Sequence, residues 1–289
     1  MSMRERENSE CFNSKGIKVF KKILDKDQLD IFYSNILNIS YYHLKKIKEK
    51  KNLLEKIYKS KIFIGDKLSK IFELYEEDDK ESLYQLQKLF SSNYETRNIL
   101  NNKKLIIEFK KLLNVEENFP LLIDGPGIFI NRPKTKRLLY KWHSESHYYP
   151  KRRNFLNIWF PIFFDKNEKN GTMFIKEKSH LLNDLPFNEY VGYDKSTENK
   201  KNHFIQFEIP ENFVKNLKTF KTNLKVGDLL VFNRKSVHTS TQNLSNRYSF
   251  AVVFRVWSFD KDLTMSGDLA VQSYKDFANG RPNLEVDTF

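Results

Sequence analysis

A chain of 289 residues, 39% hydrophobic and 15% aromatic, can bury a large core, which excludes wholesale disorder. The single Cys11 excludes an internal disulfide and a thiolate-held metal cluster, so any metal must be held by His and carboxylates. The net charge of +13 is spread along the whole chain with no recognised nucleic-acid motif, so no specific nucleic-acid partner is expected.

In chain order, the opening MSMRERENSE lacks the apolar stretch of a signal peptide. No later window approaches the ~20 uninterrupted apolar residues of a membrane span, and a cytoplasmic location is expected. Gly16 to Leu24 has a strand-like apolar bias. Asp25 can then cap a helix whose apolar positions Leu29, Phe32, Ile36 and Leu37 recur at helical spacing. The pattern continues through Leu44, Ile47, Leu54 and Ile57, with Lys45 to Lys51 as its solvated side. It breaks around Glu76 to Asp79, restarts at Leu83, Leu86 and Phe90, and a further helix is predicted over Leu105 to Leu113.

From Asp124 the texture changes to Gly and Pro punctuation between short β-branched and aromatic runs. GIFINR, RLLYKWH, FLNIWFPIFF, TMFIKE, HFIQFEI, DLLVFN, SVHTSTQ and RYSFAVVFRVW are eight strand candidates. Short strands following a helical region predict an α+β chain, mainly β, with a jelly-roll core and an N-terminal helical layer. With no internal repeat or low-complexity linker, one domain is expected. Residues 1–123 would form the mostly helical layer, 124–260 the jelly roll and 261–289 a C-terminal extension.

His143 and Glu145 form an H-x-E unit in one predicted strand, where residues i and i+2 share a face. They supply half of a metal site, and His238, just after the strand DLLVFN, is the natural third ligand. Two His and a carboxylate on one face of an octahedron leave three positions open, as in non-haem Fe(II) oxygenases. Nine residues beyond His238, Arg247 and Ser249 form an R-x-S unit. Its guanidinium and hydroxyl suit the distal carboxylate of 2-oxoglutarate. The plainer alternative is a strand Arg paired with a surface acid.

Four segments stand in a family's order: WHSESHYYP, NIWFPIFFDKNEKNGTMFIKEKSH, LKVGDLLVFNRKSVHTSTQN and SNRYSFAVVFRV. Together they make the stretch from Trp142 to Arg255 resemble the phytanoyl-CoA dioxygenase-like branch of the Fe(II) and 2-oxoglutarate-dependent oxygenases. The resemblance implies a double-stranded β-helix of the cupin-like kind. It also implies His143, Glu145 and His238 as iron ligands, Arg247 with Ser249 as the 2-oxoglutarate clamp, and dioxygen as co-reactant. It further suggests that Asn157 and Trp159 line the cosubstrate pocket, although a strand Trp is core as often. Ser240 is placed to add a hydroxyl to the clamp. One departure is Glu145, where the family usually carries Asp. Related halogenating enzymes lose the carboxylate altogether, so its presence implies hydroxylation or another oxygen-derived outcome.

Among the remaining polar residues, His147 is expected to contact substrate rather than metal, His180 to be structural and Asp228 to close a turn. The expected substrate is a small molecule. Arg132, Lys134, Lys136 and Arg137 precede the metal motif, and Lys151, Arg152 and Arg153 follow it. These residues either flank the mouth for an anionic or carrier-linked substrate or are solvated loops. The loop Leu181 to Lys201, together with the N-terminal helices, is the expected lid. Two other readings of the same fold are a cupin-type sugar isomerase and a non-catalytic binding protein, neither of which needs an Arg247-x-Ser249 clamp.

Overall fold

In the computed structural model, residues 12–76, 80–136, 139–149, 154–183, 185–191 and 205–258 are described. Strand β1 (Ile17–Phe20) is followed by helix α1 (Lys26–Leu44), which starts where the Asp25 carboxylate accepts hydrogen bonds from the amides of Asp27 and Gln28. Its buried positions Leu29, Phe32, Ile36, Leu37 and Leu44 form one stripe. Asp25→Ala should therefore cost about 1 kcal/mol in chemical denaturation. A loss under a few tenths would mean that tertiary contacts alone set the start of α1.

The single long helix expected through Ile57 is in fact two. Ile47 is extended (φ −81°, ψ 103°), and a short 3₁₀ turn at Lys48–Lys50 leads into α2 (Lys51–Lys59). Ile47 is the sole apolar residue in the run 45–51, which leaves no stripe to hold a continuous helix against the core. Four further helices follow: α3 (Ile64–Glu76), α4 (Lys80–Ser92), α5 (Tyr94–Asn98) and α6 (Lys103–Leu113). Asn102 caps α6, which ends where Asn114 turns left-handed at φ 54°.

Strands β2 (Leu122–Asn131), β3 (Phe155–Ile162), β8 (Leu229–Asn233) and β10 (Ser249–Trp257) join β1 in a five-stranded sheet, ordered β1-β8-β3-β10-β2, antiparallel throughout. Strands β4 (Met173–Lys176), β7 (Thr219–Lys221) and β9 (His238–Ser240) form a second sheet, ordered β7-β4-β9. Strand alternation divides the core in two. Phe250, Val252, Phe254 and Val256 of β10 pack with Phe32, Phe72 and Phe90 of the helices. Ala251, Trp159 and Leu230 face the other way, toward Met173 and Ile175 of the second sheet. Two sheets closed over this smaller core, with the helices outside the larger one, make the cupin-like double-stranded β-helix.

Seven of the eight strand candidates contain a strand. The exception is RLLYKWH, where the described residues make a single bridge, His143 to His238. Part of the expected lid is regular structure, because β5 (Asn188–Val191) pairs with β6 (Ile205–Glu208). Its residues 192–201, and the extension 261–289, lie outside the described residues.

Candidate metal centre

His143 and His238 face each other across that bridge. Each backbone N–H donates to the other's carbonyl at 2.9 Å, which sets the two imidazoles side by side with ring centres 4.1 Å apart. His143 Nδ1 lies 2.6 Å from the Lys141 carbonyl and His238 Nδ1 lies 3.0 Å from the Ser236 carbonyl. A carbonyl can only accept, so both Nδ1 atoms carry the proton and both Nε2 atoms keep a lone pair. Burial lowers the pKa of each ring, and Glu145 offsets this only in part; His238 is pushed down to about 3. Both rings are neutral at physiological pH.

Glu145 reaches the same point by another route. The H-x-E unit is not a continuous strand, because the bridge ends at His143 and helix α7 (Glu145–Tyr148) begins two residues later. Ser144 caps this turn by accepting from the Ser146 amide, and its hydroxyl donates to the Arg234 carbonyl at 3.0 Å. Glu145 Oε1 then lies 3.9 Å from His143 Nε2 and 3.8 Å from His238 Nε2. The three donor atoms lie within 4.8 Å of one another, and all three residues are buried. Two imidazole lone pairs and one hard oxygen converging at this distance suit a divalent transition metal.

The other carboxylate oxygen is taken. Arg255 donates to Glu145 Oε2 from Nε at 3.1 Å and from Nη2 at 2.6 Å, and its guanidinium also lies over the Tyr149 ring. Burial pushes the Glu145 pKa up, but Arg255 opposes this by its charge and its hydrogen bonds, and the net shift lies below the ordinary carboxylate value. Glu145 is ionised, with Oε1 left to face the imidazoles. Arg255 was not among the expected site residues, although a cation inside the otherwise apolar run FAVVFRVW marks it. It shares a strand face with Ala251 and Val253.

The triad opens into a cavity of about 260 Å³ that Asn157, Trp159, Ser240 and Arg255 also line. Asn157 is 1% exposed, and neither its amide oxygen nor its amide nitrogen has a protein partner. A buried amide with both ends unsatisfied on a cavity wall is a ready contact for a polar ligand.

Arg247 and Ser249 do not line this cavity. Strand β10 begins at Ser249, so Arg247 lies in the preceding turn, its carbonyl held by Asn243 and Ser245, and strand alternation does not extend to it. Its half-exposed side chain pairs with Asp66 at 3.5 Å and lies over Phe164. This is the plainer alternative, a surface ion pair. The Ser249 hydroxyl is engaged by Lys166 and the Asn170 carbonyl. His147 is also outside the cavity lining, its ring tilted against that of Phe187 with centres 4.4 Å apart. Arg152 and Arg153, with Lys151 and Arg137, lie outside the described residues. His180 Nε2 donates to the Asn13 carbonyl, and Asp228 accepts from the amides of Lys22 and Lys225.

A family model for phytanoyl-CoA dioxygenase matches residues 46–249. No curated protein matches the sequence. Among solved structures, the chain is similar to the epimerase SnoN, determined with Fe3+, alpha ketoglutarate and nogalamycin RO, at 12% identity and TM-score 0.54, over 88% of this chain and 83% of that one. EctD from S. alaskensis, with 2-oxoglutarate and 5-hydroxyectoine, gives 12% and 0.54 over 89% and 76%. The non-heme monooxygenase ThoJ gives 15% and 0.52 over 87% and 77%. At these identities the likeness is one of fold.

Proposed function

The chain belongs to the phytanoyl-CoA dioxygenase family and is a non-haem iron, 2-oxoglutarate-dependent oxygenase, and on that premise we propose that His143, Glu145 and His238 hold the Fe(II) and that the enzyme hydroxylates a C–H bond of a small molecule. The observation that carries this reading is the convergence of three donor atoms within 4.8 Å, with both Nδ1 protons committed to backbone carbonyls. Bound Fe(II) and 2-oxoglutarate supply, with dioxygen, an oxidative decarboxylation to succinate and carbon dioxide in which one oxygen atom passes to the substrate.

The protein's own part is placement. His143 and His238 present lone pairs without rotating, because their second nitrogens are tethered. Arg255 occupies Oε2, so Glu145 offers a single oxygen, and its extra methylene relative to Asp lets one side chain reach both the imidazoles and the guanidinium. Asn157 and Ser240 supply hydrogen-bonding groups to the cavity wall, and Trp159 supplies an apolar surface beside them. An anionic or carrier-linked substrate agrees with the basic run after Asn131. That residue lines the cavity, and exposed Lys134 and Lys136 follow closely.

The test is anaerobic addition of 2-oxoglutarate to Fe(II)-loaded protein, which is expected to give the weak visible charge-transfer band of a chelated keto acid. On admitting air, slow succinate formation should follow even without substrate. No band and no succinate would overturn the assignment of the ligands. Once a substrate is found, its product should gain one oxygen atom, and a product of unchanged mass would exclude hydroxylation.

A further inference from the structure

With Arg247 turned to the surface and Arg255 committed to Glu145, a further buried cation stands behind the part of the cavity wall that Asn131 forms, although its own side chain is not in the lining. Lys166 follows β3, is 0% exposed, and extends its ammonium to Asn131 Oδ1 at 3.0 Å and Ser249 Oγ at 2.7 Å. These two acceptors face each other across the β2–β10 ladder, and Asn131 lines the cavity. On the other side of Ser249, the Asn170 carbonyl accepts its hydroxyl proton, and the next residues, Gly171 and Thr172, line the cavity as well. An ammonium has three N–H donors, and the two used here go to neutral oxygens.

Among the described residues no carboxylate lies within ion-pair distance of the Lys166 ammonium, and burial pushes its pKa down to about 7. A buried charge without a counter-ion is unfavourable in the fold, and an arriving anion relieves it. We propose that Lys166 is the cation that receives the distal carboxylate of 2-oxoglutarate, with Asn131 and Ser249 holding its ammonium in position. The inference rests on the iron and keto-acid reading above. The triad and Asn131 line one cavity, so a dicarboxylate with its keto-acid end at the triad can present its other end to the wall at Asn131, behind which the Lys166 ammonium lies.

The experiment compares two keto acids on Fe(II)-loaded protein by anaerobic titration of the charge-transfer band: 2-oxoglutarate, and 2-oxobutyrate, which lacks the distal carboxylate. The unsubstituted protein should prefer 2-oxoglutarate by about 100-fold, as expected for a buried charged contact. Lys166→Met should abolish that preference and leave 2-oxobutyrate binding unchanged. Lys166→Gln, which keeps hydrogen-bond donors but no charge, should do the same. Arg247→Ala should keep the full preference, and because this side chain is half-exposed the variant does not depend on core packing. Equal loss for both keto acids in the Lys166 variants would make the lysine a mere tie between β2 and β10 and overturn the proposal. So would loss of the preference in Arg247→Ala. If the unsubstituted protein gave no band with either keto acid, the proposed iron site itself would be wrong.

Discussion

His238→Ala is expected to reduce Fe(II) affinity by well over 100-fold, since even a change in a residue supporting a ligand costs about 10–100-fold. The effect should be specific to metal. The β-bridge that carries His238 is made by backbone atoms, which alanine retains, and Glu145 keeps Arg255 as its partner. His143→Ala should behave in the same way, because each ring contributes one Nε2 at nearly the same distance from Glu145 Oε1, 3.9 Å and 3.8 Å. The measurement is iron content and anaerobic Fe(II) titration, with circular dichroism to confirm the fold. Stoichiometric iron of unchanged affinity in His238→Ala would show that the metal is held elsewhere.

The second large effect is expected at Arg255. Removing one partner of a buried, hydrogen-bonded ion pair costs roughly 3–5 kcal/mol when both are fully enclosed. The Arg255 side chain is 23% exposed against 11% for Glu145, which places Arg255→Met toward the lower end. The sign with pH follows from Glu145, whose folded pKa lies below its ordinary value. Such a group stabilises the fold above the usual carboxylate range, and the contribution is lost as pH falls through the depressed folded value. Urea denaturation of the metal-free proteins should therefore show Arg255→Met well below the unsubstituted protein at neutral pH, with the gap closing in acid. A gap that stayed constant with pH would assign the loss to the packing of Arg255 on Tyr149 instead. Iron affinity should also fall, by about 10–100-fold, since Oε2 would no longer be held.

The sequence carried much of this because the chemistry is local in type even where it is distant in position. His143, Glu145 and His238 were legible as a candidate metal set, and the structure brings their donor atoms together, but the strand assumed to carry the first two is a one-residue bridge followed by a helical turn. Ser144 is the cause, since a serine before an acidic residue starts a helix as readily as it continues a strand. Arg247 misled because alternation was applied two residues beyond the point where β10 begins. Arg255, a cation flanked by phenylalanine and valine, could have been found by continuing the same alternation inward from Val253. Lys166 could not. It sits in DKNEKN, whose composition reads as a solvated turn, and its burial depends on Asn131, Asn170 and Ser249 meeting from three separate segments. The helices of the outer layer were legible through their apolar stripes, except where Ile47 interrupts one.

In the proposed site, the bridge between His143 and His238 would tie metal occupancy to chain closure. The two residues belong to segments far apart in sequence, and between them the chain runs through β3, β4 and β8. An ion gripping both rings would add a second fastening at the point where two reciprocal backbone bonds already close that long loop. Such a fastening gains most where the loop it closes is long. The amide protons of His143 and His238 thus serve as natural reporters, because opening the bridge exposes them and parts the two ligands in one event. Loading with metal should slow the exchange of both with solvent in step, while amides in the helical layer, which do not depend on that closure, exchange at their former rates.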